Sequence, residues 1–205
     1  MADTIKSLYS GIMPTTSATV YTAPTGKFAV SKSIIISNTS SSGVKIRVMI
    51  AGFYVAYDHV IKAKSTLAID DLDIPIVPGN SIAISSATAN VVSIAISGFE
   101  RDYVSGDFPY LLTTGTFYGS YPAGSTNDWI IKSIVVCNTT TSVSTMNLKL
   151  GSITIMDSYK LKANDTIIVP SLNLYFARGQ TLTYDTDSQV AWPIYFGIVL
   201  EKVVQ

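Results

Sequence analysis

Lys32-Ser33-Ile34-Ile35-Ile36-Ser37-Asn38-Thr39-Ser40 recurs 100 residues later as Lys132-Ser133-Ile134-Val135-Val136-Cys137-Asn138-Thr139-Thr140. Lys, Ser, Ile, Asn and Thr are identical, and the other pairs are Ile/Val, Ser/Cys and Ser/Thr. The same spacing relates Lys62-Ala63 to Lys162-Ala163, Thr66 to Thr166 and Gly79 to Gly179. Upstream, Pro24-Thr25-Gly26 matches Pro122-Ala123-Gly124 at a spacing of 98, and downstream Glu100 matches Glu201 at 101. Several matches in one order with small insertions are the signature of a duplication. The chain of 205 residues reads as two copies of a unit of about 100 residues, the common size of one domain. The copies are placed at 20–103 and 104–205, joined near the polar stretch Arg101 to Asp107. Residues 1–19, rich in Ser and Thr, lie outside the repeat and read as an N-terminal arm rather than a core strand.

Each copy carries the period of two that marks a half-buried strand. Val44, Ile46, Val48 and Ile50 alternate with Lys45, Arg47 and Met49. Met146, Leu148 and Leu150 do the same in the second copy, as do Val92, Ile94 and Ile96 in the first. Ile34 to Ile36 and Ile134 to Val136 are continuous apolar runs, expected of central strands covered on both faces. Asn38 to Gly43, Asn138 to Ser142 and Pro78-Gly79 are turn clusters. No helical stripe of useful length occurs. Short strands at roughly ten-residue spacing predict an all-β chain of two tandem β-sandwich domains, jelly-roll or Ig-like.

Composition narrows the function. Charged residues are 14% of the chain, with 14 basic and 14 acidic side chains and no net charge. Hydrophobic residues make up 47%. That is the reverse of a disordered segment, and there is no basic excess for phosphate neutralisation, so no nucleic-acid partner is expected. The longest apolar run, Val190 to Leu200, has eleven residues and contains Pro193, too short for a membrane helix. The first residues lack the apolar core of a signal peptide, so synthesis in the cytoplasm without export is expected, which also speaks against an outer-membrane barrel. A neutral, charge-poor surface suits a chain buried against protein neighbours.

Chemical signatures are sparse. His59 is the only imidazole and Cys137 the only thiol. A nucleophile needs a base beside it; His59 reads as a surface or turn residue, and Cys137, where the first copy has Ser37, as a small buried apolar one. The phosphate-binding, dinucleotide, zinc-protease and hydrolase-elbow motifs are missing from the sequence. Asp70-Asp71-Leu72-Asp73 offers oxygen ligands but not the spacing of a calcium loop. Paired acids on facing strands, which a glycosidase needs, are not evident. Catalytic, metal and cofactor sites are therefore expected to be absent. Three N-x-[ST] sequons, at Asn38, Asn138 and Asn164, read as turn chemistry, in which Asn bonds nearby backbone and tolerates left-handed dihedrals. Tyr54, Tyr57, Phe108, Tyr110, Phe117, Tyr118 and Tyr121 are the candidate protein-interface residues, since Tyr and Phe are enriched at interface cores.

Val20-Tyr21-Thr22-Ala23-Pro24-Thr25-Gly26, Lys32 to Ser40 and Tyr54-Val55-Ala56-Tyr57-Asp58 together resemble a widespread group of small virion-associated proteins of tailed bacteriophages. Pro78-Gly79 and Ile96-Ser97-Gly98-Phe99-Glu100 fit the later parts of that pattern. The resemblance covers about 20–100 well and 117–201 moderately, where Met156-Asp157-Ser158-Tyr159 only loosely matches the Tyr-Asp segment. It implies a non-enzymatic structural component of a virion, partnered by capsid or tail and collar subunits, self-associating, with neither nucleic acid nor membrane as partner. Two units in series depart from the single-domain habit of that group. The alternative is a carbohydrate-binding module for host adsorption, which calls for a row of exposed aromatics on one face.

Overall fold

Val44, Ile46, Val48 and Ile50 are all 2% exposed or less, while Lys45 and Arg47 between them face solvent. The same alternation recurs at 92–98 and 144–150 in the computed structural model, which describes residues 3–103, 110–116, 118–122, 127–187 and 194–203. At 111, 113–116 and 118–122 the backbone alone is described. The chain divides into two compact units, Met1–Phe108 and Pro109–Gln205. It is all-β: among the described residues there are eighteen strands and no helix.

The first unit holds β1 (Thr4–Ile12), β2 (Ala18–Thr22), β3 (Lys27–Asn38), β4 (Val44–Ile50), β5 (Phe53–Ile61), β6 (Thr66–Ile69), β7 (Ile74–Ile76), β8 (Ser81–Ser86) and β9 (Val92–Asp102). One sheet runs β1-β9-β3-β6, with β7 also on β3; the other runs β2-β8-β4-β5. The second unit holds β10 (Tyr110–Thr116), β11 (Tyr118–Pro122), β12 (Trp129–Asn138), β13 (Ser144–Leu150), β14 (Ile153–Leu161), β15 (Thr166–Val169), β16 (Leu174–Phe176), β17 (Thr181–Thr186) and β18 (Ile194–Lys202). Its sheets run β10-β18-β12-β15, with β16 on β12, and β11-β17-β13-β14. Each strand of the second unit has the partners of the strand nine places earlier, and every pairing is antiparallel. The core of the second unit draws Ile134, Val136 and Phe196 from one sheet and Met146, Leu148 and Leu182 from the other, as the filling of a sandwich does.

Three expectations change. Residues 4–12 are not an arm. They form β1, which pairs with β9 from Thr4↔Glu100 to Ile12↔Ser93 and buries Leu8. Without it the β9 edge would be left unpaired, an edge that sandwiches normally protect. Nor do Glu100 and Glu201 correspond. Asn38↔Val92 and Asn138↔Ile194 set a spacing of 102 between β9 and β18, so Glu100 matches Lys202, and Glu201 matches Phe99. Finally, the two apolar runs differ. Ile134 to Val136 are buried on both faces, but Ile35 is 48% exposed between buried Ile34 and Ile36.

The turn clusters are tied down by the two repeated asparagines. The Asn38 amide donates to the carbonyls of Ser42 (2.8 Å), Ile61 (3.0 Å) and Lys62 (3.1 Å). Its Oδ1 accepts from the Ser40 N–H (2.9 Å) and hydroxyl (2.8 Å). Asn138 repeats the set with Ser142, Leu161, Lys162 and Thr140. The bond two residues ahead is the expected Asx turn. Neither residue is left-handed; among the three sequons only Asn164 is, at φ 53°. Asn38 and Asn138 are 1% and 0% exposed, so their amides are spent inside the fold. The β4–β5 hairpin closes on Ala51 and Gly52, both at positive φ (51° and 81°), the turn whose twist matches that of paired strands.

Candidate protein-interaction face

The outward side of the β2-β8-β4-β5 sheet carries the densest polar and aromatic cluster near the sequence-selected residues. Alternation on β4 sends Lys45 and Arg47 outward. On β5 a bulge between the partners of Ile46 and Val48 sets Tyr57 and Asp58 together opposite Arg47. Asp58 sits at φ 47°, a left-handed conformation that Asp adopts more readily than most residues. The bulge turns its carboxylate onto β4. Arg47 Nε donates to Asp58 Oδ1 at 2.6 Å, and Lys45 Nζ lies 3.6 Å from Oδ2. The Arg47 guanidinium lies over the Tyr57 ring, 4.4 Å from its centre, and Tyr57 meets Tyr54 edge to face at 4.9 Å. The hydrogen bond from Arg47 holds the Asp58 carboxyl below the usual carboxylate range, against the opposing effect of partial burial.

Strand by strand, the second unit repeats the scaffold with other side chains. Asn147 replaces Arg47, Thr145 replaces Lys45, and the bulge is Asp157-Ser158, with Ser158 at φ 51°. The Ser158 N–H donates to Asn147 Oδ1 (2.7 Å), and Asn147 Nδ2 donates to Asp185 Oδ1 (2.7 Å). Asp187 accepts from the Ser144 hydroxyl and the Thr145 N–H, each at 2.7 Å. The Ser144 bond leads in holding the Asp187 carboxyl down. The first unit has Ser85 and Ala87 where these two acids stand.

Two further polar knots are structural. The Asp73 carboxylate, 3% exposed, is held by Lys32 Nζ, so it is engaged by an ammonium rather than open to a cation. Asn173 takes the place of Asp73 in the second unit, and Lys132 reaches both Asn173 Oδ1 (2.7 Å) and Glu201 (3.3 Å). Glu100 accepts from Lys6 Nζ and the Tyr21 hydroxyl, each at 2.7 Å. Burial alone would raise the Glu100 carboxyl, but these two donors outweigh it and leave it lowered. Burial, then the bond to Glu100, pushes the Tyr21 hydroxyl up.

Of the residues singled out from the sequence, Tyr54 and Tyr57 come together on β5. Tyr110 lies on β10 and donates to Glu201 Oε1 at 3.1 Å. Tyr118 and Tyr121 lie on β11, with backbones opposite Asp185 and Leu182. Phe108 and Phe117 fall outside the described residues. Cys137 is buried. Among the described residues no group of three or more His, Cys, Asp or Glu is placed to hold a metal. Arg47 and Lys45 escaped the sequence reading, because alternation alone makes them ordinary outward positions. The signal was in the comparison of the copies, where Asn147 stands in place of Arg47 and Asp185 in place of Ser85.

No family model and no curated protein matches this chain. Among solved structures it is similar to the major capsid protein P2 of bacteriophage PM2, at 8% identity over 100% of this chain and 99% of that one, with a TM-score of 0.36. It is also similar to a conserved protein of unknown function from Pseudomonas aeruginosa PAO1, at 10% identity over 98% and 100%, with a TM-score of 0.27. At these scores neither likeness bears on function.

Proposed function

We propose that the chain is a non-enzymatic structural component of a tailed-phage particle, docking on or bridging other virion proteins through its sheet faces. The observation that carries this reading is apolar side chains standing out from strands of both units: Ile5 (90% exposed), Ile35, Ile153 (65%) and Tyr175 (57%). Apolar side chains displayed on strands, on a charge-poor chain, are what protein neighbours cover. The Tyr54–Tyr57–Arg47 group adds the residue types favoured at interface cores. The virion itself enters through the sequence resemblance, and the location on capsid, tail or collar is part of the proposal. For a carbohydrate-binding module the same tyrosines would form the platform, but the guanidinium of Arg47 already lies over the Tyr57 ring.

Mass spectrometry and antibody-labelled electron microscopy of purified particles test the reading. It predicts the chain in stoichiometric amounts at one repeated position. Particles free of the chain would overturn it, and saturable binding to host polysaccharide in place of particle association would favour the glycan module.

A further inference from the structure

The two copies carry inverted charge on the same outward face. Basic and acidic residues each divide eight to the first unit and six to the second, so each unit is neutral as a whole. The asymmetry lies in placement. On the β4–β5–β8 face the charges are Lys45, Arg47 and Asp58, and the equivalent positions Thr145, Asn147 and Ser158 are uncharged. On the β13–β14–β17 face the acids are Asp157, Asp185 and Asp187, where the first unit has Tyr57, Ser85 and Ala87. Lys149 and Lys160 flank them, in place of Met49 and Val60. One face is therefore net basic with two tyrosines at its centre, and the other is net acidic. Lys45, Arg47, Asp157, Asp185 and Asp187 are all exposed.

We propose that the Lys45/Arg47/Tyr57 face of one copy docks on the Asp157/Asp185/Asp187 face of a second copy, head to tail. Complementary charge chooses the partner and register of such a contact, and Tyr with Arg supplies its anchor. A contact between two different patches leaves the joined pair with one free face of each kind, so it propagates into a ring or a filament. A chain without net charge puts no long-range repulsion in the way. The inference deepens the assembly reading above but is tested apart from it: a chain found in particles yet monomeric in solution defeats this inference alone. A chain that associates yet is missing from particles defeats the virion reading alone.

The test is sedimentation velocity on the purified full chain across concentration, at about 0.1 M and about 1 M salt, where screening shortens the reach of charge to about 3 Å. The wild type should gain mass with concentration and lose it at high salt. Arg47→Glu should weaken association about tenfold. Ser85→Asp, which adds an acid on the basic face directly opposite Arg47 while keeping the Arg47 and Asp58 side chains, should do the same and guards against a folding defect. Asp185→Lys should weaken association by reversing the other face. Mixing Ser85→Asp with Asp185→Lys should restore association up to a one-to-one pair and no further, since each supplies the one face the other lacks. A wild type that stays monomeric, single variants that associate as the wild type does, or a mixture without rescue would overturn the proposal.

Discussion

Ile35 and Val135 stand at the same step of the same strand in the two copies, yet Ile35 is 48% exposed and Val135 is 1% exposed. Their ladders agree residue for residue: Ile35 lies opposite Ala68 and Ala95, Val135 opposite Ile168 and Gly197. One sequence motif thus carries an open outer position in one unit and a covered one in the other.

Threonine at the two positions should separate them. Ile35→Thr is expected to leave stability within about 0.5 kcal/mol, as surface changes do. Val135→Thr places a hydroxyl in a buried site and should cost about 2 kcal/mol. Urea unfolding of each variant measures the difference, and equal losses would mean that the first face is covered too.

Asn38→Ala and Asn138→Ala should each cost about 3 kcal/mol, because several buried carbonyls and one N–H lose their partner at once. Asn→Asp should be no better, since a carboxylate cannot donate to the three carbonyls that the amide now serves. Thermal unfolding reads both, with exposed Ser41→Ala as an expected neutral control.

Gly98 is held by a close approach rather than by a turn. A Cβ there would stand 1.8 Å from the Val30 carbonyl oxygen. Gly98→Ala should cost about 3 kcal/mol, at the upper end of overpacking, because backbone must move. The matching position in the second unit is Leu200, beside the equivalent bulge at Ile131/Ser133, so the bulge alone does not demand a glycine. A Gly98→Ala chain as stable as the wild type would show that β3 yields freely.

Acid should weaken the fold through carboxyls whose proton affinity drops on folding. Glu100, Asp58 and Asp187 are all lowered from ordinary values of 4.5 for Glu and 3.8 for Asp. Below those values the unfolded chain takes up protons that the folded chain still refuses, so their stabilisation is full at neutral pH and drains away as pH falls further. Glu100→Gln should flatten that acid limb and lower stability at pH 7. An acid limb unchanged by the substitution would remove Glu100 from the account.

The duplication was readable because the β3 and β12 motif is dense in identities, from Lys32/Lys132 to Asn38/Asn138. β1 was not, for two physical reasons. Its bulge between Ser7 and Tyr9 breaks the period of two, burying Leu8 while leaving Ile5 and Ile12 exposed. Its counterpart, Tyr110–Thr116, shares too little sequence to align. Glu100 and Glu201 show the opposite failure: an identity suggested a correspondence that the ladder moves by one residue, and in a strand one residue is the other face. Charge inversion between the outward faces needed the register as well, since Ser85 and Asp185 gain meaning only beside Arg47 and Asn147.

The Thr4↔Glu100 pairing also sets a timetable. The first strand of this unit to leave the ribosome closes its sheet against the last strand of the same unit, nearly the whole unit later. At about 5–20 residues per second, β1 waits several seconds without its partner. Contacts so distant in sequence slow folding as well. In a cell making many copies at once, nascent chains would hold this edge open together, so expression at low temperature or with a holding chaperone should decide how much reaches the folded state.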